Sequence, residues 1–260
     1  MQKAIRQLLA GLGGRTACVV LLLDNVAAKE LVSINADMLF PAASLAKIPI
    51  MIEAARQVSL GMLSWDARYP IAEQSRVFSD GVLADLSADL RPTLHDLTHM
   101  MITISDNTAA NVVLDLVGMD AVNVTMQQLG LALTRVERHF IDYVARRAGR
   151  ENWTTAGDMA LLLSYFCMEL LPEREQMLAM LLHQNDRTIL PAYWGEDIPF
   201  AHKTGGLEGI IHDAGIFYPP QSGGTSVIIV VMTAEQVDEP LTRYTLSRLG
   251  KIIYDEWENA

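Results

Sequence analysis

Strand-like segments occur at both ends of this chain and almost nowhere between. Residues 16–23 and 31–34 are apolar and rich in β-branched side chains, with a turn expected at Asp24-Asn25. Residues 200–204, 210–218 and 226–232 have the same character, and Pro219-Pro220 with Gly223-Gly224 punctuates the last two as a hairpin. The middle reads as helix. Residues 46–60 run up to Gly61, 94–104 lead into Ser105, 108–116 stop at Gly118, and 121–129 stop at Gly130. A further helix over 155–171 has Thr154 or Thr155 as N-cap and Pro172 beyond its end. A short helix over 2–10 precedes Gly13-Gly14, and an amphipathic one over 241–257 lines up Leu246, Leu249, Ile253 and Trp257. Strands at the ends of a helical middle imply an α+β fold. Its five-stranded antiparallel sheet is built from both ends of the chain, flanked by helices from both termini, and carries an inserted all-helical lobe. The expected organisation is a single domain over 1–260, with a sheet lobe at 1–43 and 196–260 and a helical lobe at 44–195.

With 260 residues, half of them hydrophobic, the chain can bury a large core. Its 31 acidic against 20 basic residues give a net charge of −11, which argues against nucleic acid or an anionic membrane as partner. No stretch approaches the length of a membrane span. Lys3 and Arg6 are not followed by a continuous apolar run of the length a signal peptide needs before Gly11. The chain as given therefore reads as cytoplasmic, or as periplasmic or secreted with its export signal removed. Cys18 and Cys167, each in an apolar run, are expected to be buried free thiols. Oligomeric state is not legible.

Three short strings carry chemistry: Ser44-Leu-Ala-Lys47, Ser105-Asp-Asn107 and Lys203-Thr-Gly205. In that order they match the S-x-x-K, S-D-N and K-T-G set of penicillin-recognising serine enzymes. Serine needs a base within hydrogen-bond reach to attack a carbonyl. Lys47 lies three residues after Ser44, on the same face of a helix starting there, and can take the proton if burial and nearby cations lower its pKa. Ser105 is placed to pass a proton to a leaving nitrogen. Asn107 offers an amide donor and acceptor to substrate, and Asp106 reads as structural, an N-cap for the helix that follows. Lys203 and Thr204, on an edge strand, suit a substrate carboxylate, and Gly205-Gly206 lets substrate approach the backbone closely. The N–H groups of Ser44 and Gly206 are expected to form an oxyanion hole.

With these motifs the chain resembles class A β-lactamases. The segment from Leu97 to Asn111 is similar to that family's central helix pair, and Phe200 to Asp213 is similar to two of its strands. The resemblance implies a β-lactamase/transpeptidase-like fold, a Ser44 acyl-enzyme, and chemistry without metal or organic cofactor. One departure is clear. The family's E-x-x-L-N loop motif is absent; matching Thr134-Arg135 and Thr154-Thr155 to the family leaves Phe140 in place of the glutamate and Val144 in place of the asparagine. Asp142 is the nearest carboxylate in that register, with Glu137 and Glu151 in the same loop. Asp142 is expected either to orient the hydrolytic water or to hold the loop through Arg146, Arg147 or Asn152.

The expected function is a serine acyl hydrolase acting on a small-molecule β-lactam, amide or ester. A D-alanyl peptidase or esterase, and a penicillin-binding sensor that stays acylated, are the alternatives. The remaining candidates have simpler readings. His95 and His99, four residues apart, lack a third ligand or intervening glutamate and are not read as a metal site. His202 and His212 flank the K-T-G string and could tune Lys203 or meet substrate, but read first as satisfied strand histidines. Met51, Met62, Met100 and Met101 read as core filling. Arg243 could assist Lys203 with a carboxylate.

Overall fold

The computed structural model describes residues 1–23, 28–219 and 224–258. Elements follow in the order α1 (Gln2–Ala10), β1 (Arg15–Leu23), β2 (Ala28–Ile34), β3 (Phe40–Pro41), α2 (Lys47–Ser59), α3 (Leu94–Thr103), α4 (Asn107–Val117) and α5 (Met119–Gln128). Then come α6 (Tyr143–Arg147), β4 (Trp153–Thr154), α7 (Ala156–Cys167), α8 (Arg174–Leu182), β5 (Phe200–Leu207), β6 (Ile210–Phe217), β7 (Ser226–Ala234) and α9 (Glu239–Glu258).

The main sheet is antiparallel with strand order β2-β1-β7-β6-β5, so the chain's two ends meet where β1 pairs with β7. Strand β7 is buried along its whole length, and its side chains alternate between two cores. Ile228, Val230 and Met232 face the helical core, joined by Ala17 and Val19 of β1 and by the buried face of α2. Val227, Ile229 and Val231 face the opposite core, joined by Ile5 and Leu9 of α1 and by Leu246, Leu249 and Ile253 of α9. Trp257 packs, partly buried, against the same cluster. Helix α2 is apolar almost all round because it runs through the helical core.

Several sequence-based boundaries shift. Strand β5 continues past Thr204 to Leu207, because Gly205, Gly206 and Leu207 keep pairing with His212, Ile211 and Ile210. Strand β2 begins at Ala28, before Leu31, for the same reason of pairing with β1. The helix expected over 155–171 ends at Cys167, where Glu169 takes a left-handed conformation (φ 56°), and a separate α8 follows. Residues 60–93 form turns and short 3-10 segments, and Met62 there is 64% exposed and fills no core. Met51 and Met101 are fully buried and Met100 packs beside them. Cys18 is buried, but Cys167 is only partly so, since α7 ends there at the surface; neither forms a disulfide. The turn at Asp24-Asn25, and Pro220 and Gly223 of the expected hairpin punctuation, lie outside the described residues. Among the described residues no single helix is long and apolar enough to cross a membrane.

Candidate active site

Ser44 lies in a single 3-10 turn, Ala43–Ala46, that leads directly into α2 at Lys47. Ala43 before it has a positive φ of 47°, a strained backbone for a residue with a Cβ. Tertiary contacts hold it there. Ala42 N–H donates to Asn152 O at 2.7 Å, and Gly205 of β5 packs so closely that a Cβ added to it would lie 3.3 Å from Ser44 N. Gly205 therefore serves the approach of β5 to the Ser44 turn, while Gly206 is the exposed glycine that lines the cleft.

Ser105 sits between α3 and α4, also at positive φ (59°). Asp106, fully buried, holds this turn in place. One carboxylate oxygen caps α4 through Ala109 N–H at 2.8 Å, and the other accepts from Val82 and Leu83 N–H at 2.7 and 2.8 Å. Gly81 in that loop has φ 106° and leaves no room for a Cβ beside Asp106, so glycine is required.

These turns converge on the buried Lys47 amine. Its Nζ lies 3.0 Å from Ser44 Oγ, 2.9 Å from Ser105 Oγ, 2.6 Å from Ser105 O and 2.8 Å from Asn107 Oδ1. The carbonyl and the amide oxygen can only accept. Two N–H groups satisfy them, leaving the third position of the nitrogen toward the two serine hydroxyls. Burial, and then the cation of Lys203, pushes the Lys47 pKa well below its ordinary value. The shift is toward the neutral amine, the form able to take a proton from Ser44. The ring of Phe140, 6% exposed, lies under this amine at 4.7 Å from centroid to Nζ. Its backbone is clamped by both amide atoms of Asn111, at 2.8 and 3.2 Å.

Lys203, on edge strand β5, is fully buried and donates to Ser105 Oγ at 3.1 Å and to Thr204 O at 3.0 Å. Burial lowers its pKa to about 8, against the opposing pull of Asp213, Asp186 and Asp80. Ser105 Oγ thus bridges the two lysines. In front of Ser44 opens a cleft of about 510 Å³, lined also by Ser105, Thr204, Gly206, Asp80, Asp186 and Arg243. Beside it lies a cavity of about 50 Å³ lined by Ser44, Gly206, Asp80, Asn107, Phe140 and Asn152.

Two expected site residues have partners within the protein. Asn107 is 4% exposed and engages both halves of its amide within the protein, Oδ1 to Lys47 and Nδ2 to Ser79 Oγ at 2.9 Å. It orients the lysine through Oδ1, and its second Nδ2 hydrogen is left at the small cavity that Asn107 lines. Asp142 caps α6 through Ala145 N–H at 2.8 Å and lines a different cleft, with Asp115, His139 and Phe140. The loop is tied instead by Glu151 to Arg138 (2.6 Å) and Arg146 (3.2 Å), and Glu137 pairs with Arg135. Val144 is 69% exposed.

His202 is buried, with Nδ1 at 2.8 Å from Asp213, but its Nε2 has no hydrogen-bond partner among the described residues. His212 bridges Pro41 O and Thr233 N, and burial lowers its pKa to about 4. His95 and His99 stack on α3, with His183 against His99. Among the described residues no group of His, Cys, Asp and Glu is arranged to hold a metal ion. Arg243 lines the cleft and bonds Thr188 Oγ1 at 3.2 Å. Asp80 was not legible as a site residue. Its only local mark is the turn at Ser79-Asp80-Gly81, and Asp106 binds the loop that carries it.

The model of the Beta-lactamase enzyme family matches residues 1–257. The chain belongs to this family. Beta-lactamase AST-1 of Nocardia asteroides is 31% identical over 179 residues, 61% of this chain; the match spans 56% of that relative, little more than half its length. A beta-lactamase from Sphaerobacter thermophilus DSM 20745 superposes with a TM-score of 0.88 at 27% identity, covering 100% of this chain and 99% of that one. PBP-A, in a mutant acyl-enzyme complex with penicillin G, superposes with a TM-score of 0.88 at 26% identity, covering 100% and 96%. The fold is that of class A beta-lactamases and their relatives.

Proposed function

We propose that this beta-lactamase-family protein is a serine acyl hydrolase that forms an acyl-enzyme on Ser44 with a β-lactam or a related small amide or ester. The observation that carries this reading is the buried, pKa-lowered Lys47 amine within hydrogen-bond distance of both Ser44 Oγ and Ser105 Oγ. Lys47 takes the Ser44 proton as Ser44 Oγ bonds to the carbonyl carbon. The Ser44 and Gly206 N–H groups receive the oxyanion, a contribution of about 3 kcal/mol per donor in other enzymes. As the C–N bond breaks, the proton passes from Lys47 through Ser105 Oγ to the leaving nitrogen. Lys203, with Thr204 and Arg243 on the cleft wall, holds a substrate carboxylate.

Water must then release the acyl group, and here Phe140 favours the alternative of a long-lived adduct. The small cavity beside Ser44 has room for water, but the ring on its wall supplies no base. Lys47 is left to activate that water. A protein that remains acylated, as a sensor does, is therefore the second reading. The acyl-enzyme of PBP-A with penicillin G is that protein's own property; this chain's similarity to it supports testing the same ligand here.

Intact-protein mass spectrometry after mixing with benzylpenicillin is the test. The expected result is a Ser44 adduct that decays slowly and is absent from Ser44→Ala. Fast turnover without accumulation favours a β-lactamase, and no adduct with retained ester hydrolysis favours the esterase. Activity undiminished in Ser44→Ala overturns the reading altogether.

A further inference from the structure

Around Ser44, Asp80 is the group the fold does not use. It is exposed in the Ser79-Asp80-Gly81 turn. Its backbone carbonyl accepts from Asn107 N–H at 3.3 Å. Among the described residues its carboxylate has no hydrogen-bond or ion-pair partner. Asp186, the other carboxylate of the cleft, is held by Thr188 N–H and Oγ1 and lies 3.9 Å from Arg243.

Position gives the free carboxylate its meaning. Ser44, Gly206 and Asp80 are the three residues shared by the wide cleft and the small cavity, so the two spaces meet there. Of these two spaces, Thr204, Asp186 and Arg243 line the cleft alone, and Phe140 and Leu207 the cavity alone. A substrate with its carboxylate at Thr204 and Arg243 and its carbonyl at Ser44 therefore extends its acyl-side substituent past Ser44 to Asp80.

We propose that Asp80 is a specificity residue that recognises a primary ammonium group on the acylamino substituent at the acyl side of the scissile carbonyl, as in an α-aminoacylated β-lactam or an amide substrate whose acyl residue carries an α-aminoacyl group. This rests on the reading of Ser44 as nucleophile. An ammonium forms an ion pair at this point, whereas an anionic substituent is repelled. The carboxylate is also within electrostatic reach of the reacting centre, since it favours the protonated forms of Lys47 and Lys203. A bound ammonium cancels that field and leaves Lys47 more readily neutral.

Ampicillin and benzylpenicillin differ only by an amine next to the side-chain carbonyl, and they form the test pair. Calorimetry on Ser44→Ala protein, which cannot be acylated, should show ampicillin bound about three- to tenfold more tightly. In the Ser44→Ala/Asp80→Asn double variant that ratio should fall to about one. Equal affinities with Asp80 intact, a preference that survives Asp80→Asn, or binding of neither compound overturns the proposal. Adduct formation on the unmodified protein is followed in parallel. No adduct from either compound defeats the Ser44 reading, while the calorimetric ratio still decides Asp80. Slower adduct release from both compounds in Asp80→Asn, at an unchanged ratio, assigns Asp80 to deacylation and overturns the recognition role.

Discussion

Phe140 and Lys47 show how much one side chain can decide when the groups around it are buried. The aromatic ring under the Lys47 amine adds no charge, so burial and Lys203 dominate and the amine is shifted toward its neutral form. Phe140→Glu places a carboxylate against the same nitrogen. That substitution should speed release of acyl groups from Ser44 by about 10²–10⁴-fold, the usual contribution of a general base. It should also raise the Lys47 pKa and slow acylation at neutral pH. Adduct lifetime and adduct formation rate, read separately by mass spectrometry, check both halves. Lys203 gives a second, pH-based expectation. With its pKa lowered to about 8, it loses its charge above that pH, so carboxylate binding and acylation should decline on the alkaline side. Lys203→Arg keeps the charge and should move the alkaline limb upward. An acylation rate that stays flat across about pH 7 to 10 contradicts the assignment.

The turns between helices carry more of the site than the helices themselves. Asp106 satisfies three backbone N–H groups from two segments, and Ser105 beside it is held at positive φ. Asp106→Ala leaves those buried donors without an acceptor. It should cost about 3 kcal/mol or more of stability by urea unfolding and reduce acylation as the Ser105 turn relaxes. Asp142 has a milder task as cap of a five-residue helix. Asp142→Asn keeps a side-chain acceptor at the cap and should leave both stability and adduct lifetime close to those of the parent. A clear slowing of release would return Asp142 to the catalytic group.

For the whole molecule, the sheet is the device that joins residues far apart in sequence. Lys203 comes from β5 near the end of the chain and Ser44 from the turn before α2, and the Gly205 contact brings them together. Helix α9 covers the outer face of that sheet. Leu249, fully buried there, should cost about 2–5 kcal/mol when replaced by Ala, measured by denaturant midpoint at unchanged slope. Pairing β1 with β7 closes a very long loop, so folding should be slow relative to helical proteins of the same stability.

Periodicity and β-branched runs suffice for the α+β arrangement, because each strand and helix must bury a face whose spacing is written locally. The three motif strings likewise mark Ser44, Lys47, Ser105 and Lys203, whose residue types the chemistry demands. Other features depend on distant partners. Strand β5 runs past Thr204 because β6 is beside it, and Glu169 ends α7 without any glycine to announce it. Asn107 turns inward because Lys47 lies within reach of its amide, and Asp80 belongs to the site only because Asp106 pins its loop. The sequence by itself determined the fold and marked the groups proposed to carry an acyl transfer. Only the tertiary structure decided which of them are buried with a lowered pKa, which are already engaged, and which carboxylate remains free among the described residues, because these depend on burial and on partners brought from elsewhere in the chain.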